Sequence, residues 1–319
     1  MDQSMSAAVP KPVRVPTSKR NSAFYGLRRE ETIAGYLFVL ANFLGFLAFS
    51  ALPIVAAFVL STTAWDLSTT QGPKFVGLQN FLQILQDDLA IKTLWNTFYY
   101  SFVAVPTGVF FAFCLALLLN RDIPGRLFFR FVYFVPYVTL TVAISIVWKW
   151  LYHPDLGFFN YLLAFVGIKG PNWLFSTAWS MPSVIILSNW RGIGYAMLIF
   201  LAGLQGIPEE YYEAATIDGA TSWQKLRHIT LPLLSPTTFF VIITSLIGAF
   251  QGFDQFYMLT SGGPAFSTTT LVLYIYNNGF GYFKMGYAAA LAVLLFAIIL
   301  VITLVQWWAS KRWVYGSEG

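Results

Sequence analysis

Charge is what this sequence has least of. Asp, Glu, Lys and Arg make up only 10% of its 319 residues, against 57% hydrophobic, and the mean hydropathy is +0.64. So few polar side chains cannot cover a soluble globule of this size, which leaves an integral membrane protein. The one cysteine, Cys114, lies inside an apolar run, so no disulfide forms within the chain. The two histidines, His153 and His228, fall in polar segments on opposite sides of the membrane, and no cluster of His, Cys and carboxylates has metal-ligand spacing. Gly-x-x-x-x-Gly-Lys-Ser/Thr occurs nowhere, so there is no phosphate-cradling loop. Without a catalytic dyad, a cofactor box or a basic stripe interleaved with aromatics, the sequence points to no enzyme, no cofactor and no nucleic-acid partner.

What is present is long apolar runs, each long enough to cross a bilayer. They predict an all-α, polytopic fold of six transmembrane helices at about 33–60, 94–119, 128–151, 182–204, 233–260 and 285–308. Pro53 is expected to kink the first, and Pro106 with Gly108 to interrupt the second. Residues 1–31 read as a basic tail, 32–310 as the membrane domain and 311–319 as a second tail. No stretch reads as a cleavable leader, because about thirty polar or mixed residues precede the first run. Short helices are expected near 80–85 and 158–166, the latter too short to span. Trp148, Trp150, Tyr152, Trp173 and Trp179 gather around the second of these, as an aromatic belt does.

Six spans put both termini on one side. Thirteen basic residues then fall on the termini's side and five on the other, with Arg191 inside the fourth span. That bias predicts cytoplasmic termini. It also puts the polar segment 206–236, with Glu209, Glu210, Glu213, Asp218, Lys225 and Arg227, in the cytoplasm.

This segment has the marks of two helices and a turn. Pro208 suits a helix start and Glu209 and Glu210 a first turn, so a helix is expected to about Ile217. Asp218-Gly219 supplies the turn, and Thr221 with Gln224 has capping-box spacing for a second helix. Ala214 and Ala215 beside Glu213 would let a partner's groove approach closely. On physical grounds a docking knob and an ordinary loop helix are equally open.

The spacing is more specific than that. Glu213-Ala214-Ala215, Asp218-Gly219-Ala220 and Ile229-Thr230-Leu231-Pro232 with Pro236 resemble the EAA loop of membrane subunits of binding-protein-dependent ABC importers. Residues 201–208 (LAGLQGIP), 77–81 (GLQNF) and 253–264 (FDQFYMLTSGGP) are similar to the carbohydrate-importing branch. The resemblance implies a type I ABC importer transmembrane domain in a bacterial cytoplasmic (inner) membrane. It further implies a second homologous permease subunit, an ABC ATPase dimer that hydrolyses the ATP, an extracytoplasmic solute-binding protein and a carbohydrate substrate. Carried over, Glu213, Ala214, Ala215, Asp218 and Gly219 would form the cytoplasmic coupling helix. Family members of one subunit type often carry extra N-terminal spans, which are not read here.

For the pathway, Arg191 comes first, since a charge at such depth faces a wet cavity or a partner. It lies roughly 14 Å, and Asp254 roughly 9 Å, below the outer ends of their spans. The two are expected to pair or to line the outer pathway together, with Asn189, Gln251, Gln255 and Tyr257 offering hydroxyl-binding groups. A purely structural pair is the competing reading. Trp190, Phe250, Phe253 and Phe256 can stack on sugar rings or simply pack. The expected cargo is a sugar. A phosphorylated polyol such as glycerol phosphate is the alternative, and a self-contained channel or secondary transporter the reading of another class.

Overall fold

A computed structural model describes residues 21–70 and 72–314; most of the expected basic tail, and residues 315–319, lie outside the described residues. The chain divides into two compact units, Met1–Ala56 and Ala57–Gly319. The first holds α1 (Asn21–Phe46), a π-helical turn (Leu47–Ala51) and the start of α2 (Leu52–Ser61). From Ile33 to Val55 its large apolar side chains are exposed on every side, as on a lipid-facing helix. Pro53 lacks the N–H that would close a regular turn, and the π-helical turn comes immediately before it.

The second unit opens with a small antiparallel pair, β1 (Thr63–Ala64) and β2 (Lys74–Phe75), which corrects the all-α expectation in detail. Then come α3 (Gln79–Gln86) and α4 (Asp88–Leu119). The latter starts where the Asp87 carboxylate accepts from the Leu89 and Ala90 amides at 2.9 and 3.2 Å. It runs through Pro106 without a break, contrary to expectation. The Thr107 hydroxyl donates to the carbonyls of Val103 and Ala104 at 2.6 and 3.1 Å, next to the turn that the proline leaves one bond short.

The third run is not a single straight span. It is α5 (Arg126–Val138) and α6 (Thr141–Leu151), which meet at 100°. The Thr139 hydroxyl donates to the Val135 carbonyl, and the chain leaves the helix at the extended residue Thr139. The short helix α7 (Phe158–Phe165) and the fourth span, α8 (Ser180–Gln205), follow the expected positions. Next come α9 (Glu209–Ile217), α10 (Ser222–Lys225), a π-helical turn (Leu226–Thr230), α11 (Leu231–Leu233) and α12 (Ser235–Phe250). The fifth span thus ends at Phe250, ten residues before the expected boundary. Gly252 and the irregular Phe253 separate it from α13 (Asp254–Leu259). After α14 (Leu271–Tyr276) and a π-helical turn (Asn277–Gly281) comes α15 (Met285–Ser310). Among the described residues, four helical runs are long and apolar enough to cross a membrane, or up to six if each bent pair is one span.

The centre of this unit is α4 against α8. Ala112 and Ala116 of α4 are fully buried with Met197, Phe200 and Leu201 of α8, small residues letting the backbones approach. Gly194 allows close approach of α8 to α5, since an added Cβ there would sit 1.9 Å from the Tyr133 carbonyl oxygen.

At the end where α4 begins, hydrogen bonds add to the apolar packing of Ala90, Leu271 and Leu291. Asn96 donates to the carbonyls of Phe266 and Thr269 at 2.8 and 2.9 Å, and Thr97 accepts from the Leu271 amide at 2.8 Å. Asp87 accepts from the hydroxyls of Tyr274 and Tyr287, both at 2.6 Å, and so ties the starts of α4, α14 and α15 together. Burial pushes the Asp87 carboxyl up, but the two phenols and two amides outweigh it, and the group is held below its ordinary value. Burial, then Asp87, pushes Tyr274 up to about 12.

Candidate functional site

Two places carry the residues singled out from the sequence. The first is a cavity of about 290 Å³ enclosed by α4, α5, α8 and α12. Asn189 lines it and is oriented by a 2.8 Å bond from its amide to the Thr107 hydroxyl. Hydroxyls of Tyr100, Ser188, Thr244 and Ser245 join it, and Tyr137 and Tyr195, stacked at 4.6 Å and 10°, form an aromatic wall. Lys, Arg, Asp and Glu are absent from this lining. The site is therefore neutral, with hydrogen-bonding groups and exposed ring faces, which suits a polyhydroxylated solute better than an ion.

The other pathway candidates fare differently. Gln255 donates to the Tyr100 hydroxyl at 3.2 Å and so buttresses a cavity residue. Arg191 is half-buried, with its Nε buried and without a hydrogen-bond partner among the described residues. It forms no ion pair with Asp254: among the described residues the one ion pair joins Arg126 and Asp122. The reason is the early end of α12. Asp254 opens α13 as an exposed residue, and Gln251 is an exposed cap, so neither lies in a span. Tyr257 stacks on Phe253 at 5.3 Å and meets Tyr276 at 5.6 Å. Phe250 and Phe256 are 2% and 0% exposed, which settles them as packing residues. Trp190 is exposed and lies 5.3 Å from Trp148. Sequence reasoning missed Tyr100, Thr107 and the pair Thr244-Ser245. The available signal was hydroxyl residues inside apolar runs.

The second place is the polar segment. Pro208 caps α9 rather than opening it, with Glu209 and Glu210 in the first turn. The helix closes by a Schellman arrangement: the Ala220 amide reaches the Ala215 carbonyl at 2.8 Å and the Gly219 amide reaches Thr216 at 3.0 Å. Gly219 takes φ +74°, open to glycine at little cost. Thr221 and Gln224 make the expected capping box. The second helix differs, since α10 has four residues and then passes through the π-helical turn and α11 into a 63° bend before α12. Two bonds tie the halves: Tyr212 to Thr230 between hydroxyls at 2.9 Å, and Lys225 Nζ to the Thr216 hydroxyl at 2.6 Å. Glu213, Ala214, Asp218 and Gly219 are exposed, whereas Ala215 is half-buried.

Residues 92–315, which include both places, match the family described as binding-protein-dependent transport system inner membrane component. The chain belongs to that family. Among curated relatives of this permease are the lactose transport system permease protein LacF of Rhizobium radiobacter, 36% identical over 93% of this chain and 99% of the relative. The arabinooligosaccharides transport system permease protein AraP of Bacillus subtilis is 34% identical over 92% and 93%. The trehalose/maltose transport system permease protein MalF of Thermococcus litoralis is 33% identical over 88% and 94%. Among solved structures, a chain of a bacterial ABC transporter involved in import of the acidic polysaccharide alginate shares the fold. Its TM-score is 0.78 at 24% identity, covering 91% of the permease and 98% of that chain. The family resemblance read from the 206–236 spacing is thereby borne out.

Proposed function

We propose that this permease carries a sugar across the cytoplasmic membrane as one subunit of an ATP-driven importer, by alternating access. The supporting observation is the neutral cavity, in which Asn189, four hydroxyls and a stacked tyrosine pair face one space. Such a lining offers hydrogen bonds to hydroxyls and ring faces to C–H surfaces. A phosphorylated polyol would need cations there, and Arg191 is not among the lining residues. Relatives named for lactose, arabinooligosaccharides and trehalose/maltose point the same way.

Residues 209–219 act as the coupling helix. Glu213, Ala214, Ala215, Asp218 and Gly219 seat in a cleft of a separate ATPase, whose closure moves the bundle between inward-facing and outward-facing states. A second permease subunit completes the pathway, and an extracytoplasmic binding protein delivers the solute. Gln255 positions the Tyr100 hydroxyl at the cavity wall.

Copurification of the assembled complex, followed by a screen for saccharides that stimulate ATP hydrolysis through its binding protein, tests the cargo. Stimulation by glycerol phosphate and by no sugar would overturn it. Ala215→Cys is expected to cross-link to the ATPase, and a cysteine that stays free in the intact complex would refute the docking assignment.

A further inference from the structure

A second cavity, of about 540 Å³, lies where the end of α4 meets the 206–236 segment. Its floor is apolar: Leu117 of α4 and Leu204 of α8 come from the last turns of two membrane-crossing helices. Its walls are donors. Arg121 and Lys225 bring two positive charges, with Asn120, Ser222 and the indole of Trp223 around them, and the lining includes no carboxylate. Among the described residues, the side chains of Arg121, Asn120, Ser222 and Trp223 have no hydrogen-bond partner, and Trp223 is 65% exposed. Lys225 reaches across to Thr216.

We propose that this cavity holds the phosphodiester headgroup of an anionic phospholipid. Two cations without a carboxylate call for an anion, and charge-assisted bonds from a guanidinium and an ammonium to phosphate oxygens are the strong kind. Basic pockets at the membrane face between transmembrane helices take lipid headgroups in this way. The position of the site at the ends of two membrane-crossing helices favours a lipid over a free anion, because acyl chains can run along exposed apolar residues of α4 such as Leu118 and Phe111. The neutral donors then serve the glycerol hydroxyls of the headgroup. A lipid held here bridges α4 to α10 and the π-helical turn, and therefore steadies the segment assigned above to ATPase contact. Only this consequence rests on that assignment, since the binding does not.

The test is lipid titration of the purified full chain in neutral detergent, read by native mass spectrometry without any ATPase. Phosphatidylglycerol is expected to bind about tenfold more tightly than phosphatidylcholine, the worth of one well-made charged contact. Arg121→Gln should remove that preference and Arg121→Lys should retain part of it, while Arg312→Gln, a basic site elsewhere on the chain, should leave it intact. Equal binding of the two lipids would overturn the proposal, as would equal losses in the Arg121→Gln and Arg312→Gln variants. Full displacement of phosphatidylglycerol by millimolar inorganic phosphate would make this a soluble-anion site and equally refute the lipid. Failure of the Ala215 cross-link would leave every one of these outcomes unchanged.

Discussion

Replacing Asp87 by alanine should loosen one end of the bundle by a calculable amount. The carboxylate caps α4 through the Leu89 and Ala90 amides and accepts from Tyr274 and Tyr287 at 2.6 Å each. Losing a cap costs about 1 kcal/mol. Each phenol-to-carboxylate bond is worth about 1.5–3 kcal/mol, toward the lower figure because Asp87 is partly exposed. The sum at the lower figures, about 4 kcal/mol, is reduced by water reaching the freed phenols, to about 3 kcal/mol. Amide exchange measured by mass spectrometry across residues 88–97 and 271–291 should therefore accelerate about a hundredfold. Tyr287→Phe alone should account for about half of this energy, and the double variant should show strong non-additivity. The folded Asp87 titrates below its unfolded value of about 3.9, so its contribution is complete above that pH and lost as pH falls through the folded value. Tyr274, raised to about 12, keeps its proton throughout. Exchange corrected for its intrinsic rate should then be flat from about pH 5 to about pH 8. An acceleration below about threefold in Asp87→Ala, or additive effects of the two changes, would refute this account of the network.

Two further substitutions address the sites. Gly219→Ala places a Cβ at φ +74°, a strain of about 1 kcal/mol. It should lower solute-stimulated ATP hydrolysis in the assembled complex while membrane insertion is normal; unchanged coupling would count against the tight turn being required. Asn189→Leu removes an amide from the cavity and its bond to Thr107. Uptake should fall about tenfold with assembly intact, and a normal uptake rate would exclude Asn189 from the pathway.

The helical, membrane-crossing character of the chain was legible because hydropathy and length are sufficient to assign it. The 206–236 segment was equally legible, since caps and turns are local chemistry: Thr221 with Gln224 and Asp218-Gly219 are each decided within a few residues. The breaks inside apolar runs were not. Residues 128–151 read as one run, yet Thr139 turns back on the Val135 carbonyl and the run folds through 100°. Residues 251–259 continue an apolar pattern past the true end of α12, and with that boundary went the expected pairing of Arg191 with Asp254. Conversely, Pro106 read as an interruption, but α4 runs through it unbroken, losing a single backbone bond inside a 32-residue helix. Hydropathy records solvent preference and is silent on where a side chain competes with the backbone for a carbonyl. The cavity residues Tyr100, Thr244 and Ser245 escaped for a related reason, being individually unremarkable in spans rich in Thr, Ser and Tyr.

The two ties across the 206–236 segment have a mechanical meaning. With Tyr212 bonded to Thr230 and Lys225 to Thr216, its outgoing and returning limbs cannot hinge independently. On the coupling role proposed above, a push at the exposed tip is carried to its two roots, the end of α8 and the bend that leads into α12, with the ties resisting flexing in between. Both of those helices border the cavity. Cutting either tie should then loosen the segment and turn stroke into slack.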